Sequence, residues 1–252
     1  MIKKLLLTFC VFGILGTLTT KAQGSSDPFD VQMRVYKGAL KNYDLQAATI
    51  ALYNMIAIKP ERADLNDSLA LLYFAGERYA QAYLIGEEIL KKDGSRKDML
   101  ELVAVSKQNL GLIKEALADY EKLYAADKSI YYLYQMATLQ YQLKRFGECI
   151  ASLDKIIGDP ASAQQKVNIL VQGGSQDVPM KAAALNVKGI CALEMNQEEI
   201  AKDNFTKALE VSPEFVLAKG NLDLVAKKQA EAKQPAVNKT PSSTIKTTTA
   251  PK

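Results

Sequence analysis

The chain has 252 residues, of which 48% are hydrophobic and 24% are charged, a balance typical of a soluble folded protein with one or two domains. Its formal net charge is +4, but the excess lysines lie near the two ends, so the middle of the chain is mildly acidic and does not attract nucleic acid. The sequence contains no histidine, which excludes an imidazole base, a Cys–His or Ser–His nucleophile pair and a histidine metal ligand.

The first 22 residues are typical of an export signal. Two lysines precede a mostly apolar run over residues 5–18, and small residues precede an expected cleavage site after Ala22. We therefore expect a signal peptide at 1–22 and an exported protein, periplasmic or envelope-associated in a bacterial-type cell, with no transmembrane span after cleavage. Two alternatives are a retained short membrane anchor and lipidation of Cys10, although Cys10 lies inside the apolar run.

A repeat of about 34 residues organises the chain from residue 29 to residue 214. A small residue followed twelve positions later by a second small residue recurs in four pairs: Ala70 and Ala82, Ala104 and Ala116, Ala137 and Cys149, and Gly189 and Ala201. Apolar residues generally lie three before, four after and seven after each second member, which is the spacing of one helical face. One period before Ala82 lies Ala48. Pro60, Gly94 and Pro213 lie twelve residues after Ala48, Ala82 and Ala201, respectively, where a helix stops.

This pattern resembles the tetratricopeptide repeat (TPR) family. The last repeat matches best, with the family's positions held by Leu185, Gly189, Ala201, Phe205, Ala208 and Pro213. The first repeat departs from the pattern, because Tyr36 stands where a small residue is usual, and the tryptophan of the family's first helix is absent throughout.

The spacing and the resemblance together predict an all-α fold, an α-solenoid of about five TPR-like helix pairs within residues 23–232. The expected repeats lie near 29–61, 62–95, 96–128, 129–160 and 182–214. A capping helix with one polar face is expected at 214–232, followed by a disordered, basic tail rich in Thr, Pro and Lys at 233–252. The tail is either a solvated terminus or an electrostatic contact with anionic lipid head groups at the envelope surface.

Residues 161–181 interrupt the regular spacing, because the last two repeats are 52 rather than 34 residues apart. The Asp-Pro pair at 159–160 is typical of a helix start and the Gly-Gly pair at 173–174 of a helix stop. We therefore expect an inserted helix near 160–172 before the last repeat. It either fills space by packing Val167, Leu170 and Val171 on the solenoid, which is favoured, or forms a lid or a partner contact that breaks the regular stack.

In the TPR family, the first helix of each pair lines a concave groove that holds peptides. The resemblance therefore implies a set of partner-binding residues, which are Lys37, Leu71, Phe74, Glu101, Val105, Gln108, Tyr131, Tyr134, Thr138, Tyr141, Asn186 and Ile190. This set lacks the Lys and Asn constellation with which some members clamp a C-terminal carboxylate, and acidic Asp67 and Glu101 lie near its place.

Tyrosines concentrate on one predicted helix. Tyr131, Tyr134 and Tyr141 share a helical face, and Tyr132 lies beside them. Exposed tyrosine clusters favour binding, because the ring offers a large contact area with a polar tip. We hypothesise that this patch is the centre of the partner site. The alternative is that one or two of these tyrosines are core residues whose hydroxyls reach the solvent.

The two cysteines outside the expected signal, Cys149 and Cys191, occupy helix-packing positions. An exported protein permits a disulfide, but these positions favour two buried, unpaired thiols. Two cysteines alone do not make a metal site, and no cofactor is expected. Adjacent acids such as Glu87 and Glu88 are typical of solvated helix faces, and the chain has no Gly-rich phosphate loop and no nucleophile elbow. We therefore expect no enzymatic activity.

The expected function is that of a non-catalytic protein–protein interaction scaffold of the cell envelope, which binds a protein or peptide segment in the groove. The alternative is a structural component tethered to the envelope through the basic C-terminal tail. Recognition of a glycan by the tyrosine patch is a third, weaker hypothesis. No nucleic acid partner is expected.

Overall fold

The structure is a computed structural model that describes residues 27–233, so the expected signal peptide and the tail beyond Lys233 lie outside the described residues. The described helices, in chain order, are α1 (Pro28–Lys41), α2 (Leu45–Ile58), α3 (Ala63–Ala75), α4 (Tyr79–Lys92), α5 (Lys97–Asn109), α6 (Ile113–Asp127), α7 (Ile130–Gln142), α8 (Phe146–Gly158), α9 (Met180–Glu194), α10 (Glu198–Val211) and α11 (Val216–Lys233). Two strands, β1 (Lys166–Val171) and β2 (Gly174–Pro179), lie between α8 and α9. Across residues 27–233, none of the helices is both long and apolar enough to cross a lipid bilayer.

The chain divides into two compact units, with the boundary after Ser68 inside α3. In the first unit α1 packs against α2, and the buried side chains include Phe29, Leu52 and Met55. The ammonium group of Lys59 lies 4.3 Å from the centroid of the Phe29 ring, a cation–π contact that ties the end of α2 to the start of α1.

The second unit continues from Leu69 through successive helices, each of which packs against its neighbour along the chain from α4 to α8 and from α9 to α11. Small residues mark the closest approaches. A Cβ atom added at Gly189 of α9 would lie 2.5 Å from the Phe205 ring of α10, and one added at Gly86 of α4 would lie 2.6 Å from Val103. The expected five helix pairs and the final helix are therefore confirmed.

The first helix of every pair ends in the same backbone turn. The turn residue has a positive φ between 56° and 76° in each case, at Tyr43, Glu77, Gly111, Lys144 and Asn196. The next residue then donates its N–H to the carbonyl five residues earlier, as Arg78 does to Tyr73 and Gln197 does to Ala192, both at 2.8 Å. This is the Schellman termination of an α-helix.

The expected inserted helix near 160–172 is wrong, because this segment forms a short 3-10 turn at Pro160–Ala163 and then an antiparallel β-hairpin. Val167 lies opposite Val178, and the two-residue connection ends at Gly173, whose φ is +86°. The Asp-Pro pair does cap a helical turn, but only one turn long.

The hairpin forms because, after that turn, apolar side chains recur at every second residue. Val167 and Val178 are buried in the core of the second unit, and Ile169 packs against the same core. On the other face Leu170 is 82% exposed. Residues 167, 169 and 171 are all β-branched, which favours a strand, and their alternation turns one face to the helices and the other to solvent. The segment therefore packs on the second unit through Val167, Ile169 and Val178 as a hairpin, while Leu170, which the filler interpretation placed against the helices, is exposed.

A buried ion network holds α5 between its neighbours. The ammonium group of Lys107 donates to Asp119 of α6 at 2.6 Å and to Glu87 of α4 at 2.7 Å, and Lys122 also reaches Asp119 at 2.9 Å. Burial works to lower the pKa of Lys107, but the two carboxylates outweigh it and the pKa is raised. Lys107 is therefore a charged structural residue, which fixes the helix that carries Glu101 and Val105.

Candidate binding groove

A groove opens along α3, α5 and α7 in the second unit. Its first section has a volume of about 360 Å³ and is lined by Leu71, Phe74, Asp98, Glu101, Leu102, Val105 and Tyr131. Leu71 is apolar yet 53% exposed, and the Phe74 ring is held edge-on by Tyr79 at 5.8 Å between centroids. This section therefore offers apolar side chains to a ligand beside two carboxylates.

The second section is larger, about 660 Å³, and lies between α7 and the hairpin. It is lined by Gln108, Tyr131, Tyr134, Gln135, Thr138, Gln142 and the five consecutive residues Lys166–Leu170 of β1. Tyr131 lines both sections, so the two adjoin at this residue, and together they are named here the inner groove. Beside apolar surface, the second section offers the amide and hydroxyl groups of residues such as Gln108, Gln135 and Thr138. Groups of this kind hydrogen-bond the backbone of a peptide.

Eight of the twelve residues that the resemblance implied line this groove. They are Leu71, Phe74, Glu101, Val105, Gln108, Tyr131, Tyr134 and Thr138. Most of the Tyr134 ring is buried, so it offers little of its surface to a ligand. The strand β1, by contrast, was not anticipated as a wall of the site, because the sequence pattern predicted a helix there.

Tyr132 orients the Glu101 carboxylate of the groove. Its hydroxyl donates to Glu101 at 2.8 Å, and its ring meets that of Tyr131 edge-on at 5.4 Å. Burial, followed by the hydrogen bond to Glu101, raises the pKa of Tyr132. Burial and the nearby Glu101 charge also raise the pKa of Tyr131. Both phenols therefore stay neutral at physiological pH, and Glu101 is held as an oriented acceptor in the first section of the groove.

The hypothesis of one exposed patch formed by Tyr131, Tyr134 and Tyr141 needs correction. Tyr134 is only 6% exposed, and burial raises its pKa to about 12. Tyr141 lines a separate pocket of about 220 Å³ with Gln142, Lys144, Phe146 and Glu194. The spacings of three and seven residues put Tyr131, Tyr134 and Tyr141 on one helical face. Tyr131 and Tyr141 nevertheless lie about three turns apart along α7, and Tyr141 is surrounded by residues of α8 and α9 rather than by the groove.

Asn186 and Ile190 do not line the inner groove, because α11 lies against them. The side-chain amide of Asn221 donates to Asn186 at 2.9 Å, and Asn186 is only 3% exposed. Ile190 packs with Leu222 against the buried Val225. The capping helix α11 thus covers the face of α9 that the resemblance implied to be open for a partner.

Lys37 is exposed on α1 in the first unit. The two cysteines are buried, unpaired thiols as expected, with their sulfur atoms 3.5 Å apart across α8 and α9. Within residues 27–233, no cluster of three or more cysteine, aspartate or glutamate side chains is placed to hold a metal ion.

Models of protein families and the sequences of curated proteins provide no match to this chain. Solved structures do match. YrrB, described as a TPR protein with an unusual peptide-binding site, superposes with a TM-score of 0.58 at 15% identity, covering 78% of this chain and 90% of its own.

MamA proteins match to a similar degree. MamA from Desulfovibrio magneticus RS-1 (41-end) gives a TM-score of 0.57 at 13% identity and covers 76% of this chain and 98% of its own. A second MamA structure gives 0.56 at 12% identity, with coverage of 84% and 98%. At these identities the likeness establishes the fold alone, and this chain has the TPR-like α-solenoid fold.

Proposed function

We propose that this protein is a non-catalytic interaction scaffold that binds a segment of another protein in the inner groove. The observation that carries the proposal is that the two sections adjoin at the half-buried ring of Tyr131. One section presents the exposed apolar Leu71, and the other presents amide and hydroxyl groups beside apolar surface. Apolar pockets for side chains next to hydrogen-bonding groups for the backbone suit an extended peptide.

The groups of the groove are held for binding rather than poised for proton transfer. Glu101 accepts from Tyr132, and Asp98 forms an ion pair with Arg96 at 2.7 Å, which lowers the pKa of Asp98. A general acid or base needs a pKa near the working pH, whereas Asp98 is kept ionised by Arg96. The hydrogen bond from Tyr132 orients the Glu101 carboxylate. The fold shared with YrrB, which is described as having a peptide-binding site, gives the same proposal independent support.

We further propose that the protein acts outside the cytoplasm, in the cell envelope. The support is the sequence of residues 1–22, with its basic start, apolar run and small residues before Ala22. N-terminal sequencing of the protein purified from its native cells tests this: a chain starting at Gln23 is expected, and a chain starting at Met1 would contradict export by cleavage. Attachment to the envelope through the tail stays a prediction of the sequence.

A capture experiment tests the binding function. The full chain is used as bait for proteins of the native envelope fraction, beside a Leu71→Arg variant and a Leu224→Arg variant. Both leucines are about half exposed, and only Leu71 lies in the groove, so the two variants match in exposure and chemistry. A protein retained by the wild type and Leu224→Arg, but lost from Leu71→Arg, is the expected result. Equal retention by both variants would place the contact elsewhere and contradict the proposal.

A further inference from the structure

The wall of the inner groove contributed by the hairpin is a strand edge. Lys166 to Leu170 all line the groove although their side chains alternate between two faces, so the backbone of β1 itself forms the wall. No residue of β2 is among those lining the groove. The β2 side is instead tied to the start of α11, because the side chain of Gln176 donates to the carbonyl of Glu214 at 2.6 Å and accepts from the N–H of Val216 at 3.1 Å.

The register shows which backbone groups of β1 point away from β2. Met180 donates its N–H to the carbonyl of Gln165 at 2.7 Å, which makes this a hydrogen-bonded pair. Because such pairs alternate along an antiparallel ladder, Val167, Ile169 and Val171 bond to β2. The backbone groups of the three intervening residues therefore point to the other edge; these residues are Lys166, Asn168 and Leu170.

This edge is unoccupied by the rest of the described chain. Across residues 27–233, no hydrogen bond reaches the outward N–H and C=O groups of Lys166, Asn168 and Leu170. The Asn168 side chain bonds across the hairpin to Asp177 at 2.8 Å, as expected of a pair that shares no backbone hydrogen bonds, and leaves the edge free. An unpaired strand edge is a ready template for another strand.

We propose that the partner segment binds by adding as a strand to the outer edge of β1, while its side chains contact α7. This rests on the proposed function and specifies it. The occupant is an extended segment of another protein, about five residues long, which matches the length of edge that lines the groove. It carries β-branched or aromatic residues facing Tyr131 and Thr138.

The charges along the second section of the groove set one further requirement for the partner segment. Lys166 at the start of β1 is exposed, and its ammonium group makes no ion pair within the described residues. The remaining residues that line the second section are uncharged. A carboxylate beside Lys166 and an otherwise uncharged paired stretch are therefore the complement of this section. Proline is excluded from those residues of the segment whose N–H must bond to β1.

Asn168 offers a matched pair of variants for the test. Asn168→Pro removes the outward N–H without touching a bond to β2, and proline is tolerated at strand edges. Asn168→Ala removes the side chain and keeps the N–H. The probe is a library of random twelve-residue peptides selected on the full chain, and affinities of the selected peptides are then measured for both variants and for Leu71→Arg, with thermal unfolding confirming that each is folded.

The proposal predicts that Asn168→Pro weakens binding by at least about tenfold relative to Asn168→Ala, since an edge hydrogen bond is lost and the proline ring obstructs pairing. Equal affinity for the two variants, with Leu71→Arg still defective, would overturn strand addition while leaving the groove function intact. Failure to select any peptide that binds the wild type better than Leu71→Arg would overturn both strand addition and the proposed groove function.

Peptide chemistry gives a second readout that leaves the protein unaltered. N-methylation of single backbone amides in a selected peptide removes one donor at a time. Strand addition predicts a loss of binding at every second residue of the paired stretch, whereas a uniform or absent effect would contradict it. If deletion of residues 234–252 instead strengthens peptide binding by more than about tenfold, the chain's own tail occupies the edge, and the assignment to a partner protein is wrong.

Discussion

Two helix faces at the same repeat position in the second unit differ in what covers them: the face on α7 is open, and the face on α9 is covered by another helix. Tyr134 and Thr138 of α7 correspond to Asn186 and Ile190 of α9, since each lies at the same distance from the small residue of its repeat. On α7 this face lines an open groove, bounded on its far side by β1. On α9 the same face lies against α11.

The difference arises from the segment that comes after each repeat in the chain rather than from the repeat itself. After the helix pair α7–α8 the hairpin is inserted, and it stands beside the groove as a wall. After α9–α10 comes the capping helix, which packs on both helices of the pair. Repeat position alone therefore does not identify a binding residue, because a cap and an insert give the same position different neighbours.

The largest expected effect comes from loosening the covered face. Phe215 lies just before α11, is 1% exposed and belongs to the main core of the second unit. Phe215→Ala should lower the free energy of unfolding by about 3–5 kcal/mol, because it leaves a cavity under the start of the cap. Chemical denaturation measures this, with Leu224→Ala as a control in an exposed position of the same helix. Similar values for the two variants would mean that the cap is not anchored there.

A second variant tests the close packing beneath that face. Gly189→Ala places a methyl group against the Phe205 ring and should cost about 1–3 kcal/mol of stability. Gly220→Ala in α11, where an added Cβ meets nothing within 4 Å, should leave stability unchanged or raise it by up to about 1 kcal/mol. A neutral Gly189→Ala would show that α9 and α10 do not pack so closely.

Exchanging the side chains of the two faces sharpens the comparison. Ile190→Thr should lower the free energy of unfolding by about 1–2 kcal/mol, because it replaces a packed apolar group with a hydroxyl beside Leu222. Thr138→Ile should change stability by less than about 0.5 kcal/mol, yet weaken peptide binding by narrowing the groove. Equal losses of stability at the two positions would show that the faces do not differ in burial.

The smallest effect concerns alkaline pH. Burial raises the pKa of Tyr134 to about 12, above the value of about 10 for an unfolded tyrosine. A raised folded-state pKa stabilises the fold fully below pH 10, and this contribution is lost as the pH rises from 10 towards 12. Tyr134→Phe should therefore weaken the pH dependence of stability in that window. An unchanged pH profile in denaturation curves would contradict the burial of this phenol.

The helical architecture could be predicted from the sequence because the signals for it are local and recur in each repeat. Small residues at the helix crossings, apolar residues on one face and prolines at helix ends each recur at the repeat spacing, and packing in the structure gives each of these a reason. The repeated left-handed turn was hidden, because only Gly111 among the five turn residues is a glycine.

The predictions that failed concern features that depend on contacts between segments distant in the sequence. In residues 160–179 the helix-start signal of Asp-Pro competed with the β-branched alternation after it, and pairing with β2 decided the outcome. Helical spacing groups residues by angle around an axis, but it does not say which neighbour covers each turn, so Tyr141 and Asn186 were assigned to the groove although they lie outside it. The buried charge of Lys107 depends on carboxylates of two other helices, which no local pattern reveals.

The most direct test of the open and covered faces uses the side chains of Thr138 and Ile190 themselves. The full chain is labelled at the methyl groups of threonine and isoleucine and titrated with a peptide selected on it from the random library, with methyl NMR shifts as the readout. The account predicts that the Thr138 resonance shifts with the same affinity as peptide binding, while the Ile190 resonance stays in place. A shift at Ile190 with Thr138 unaffected would contradict the assignment of the inner groove as the binding site.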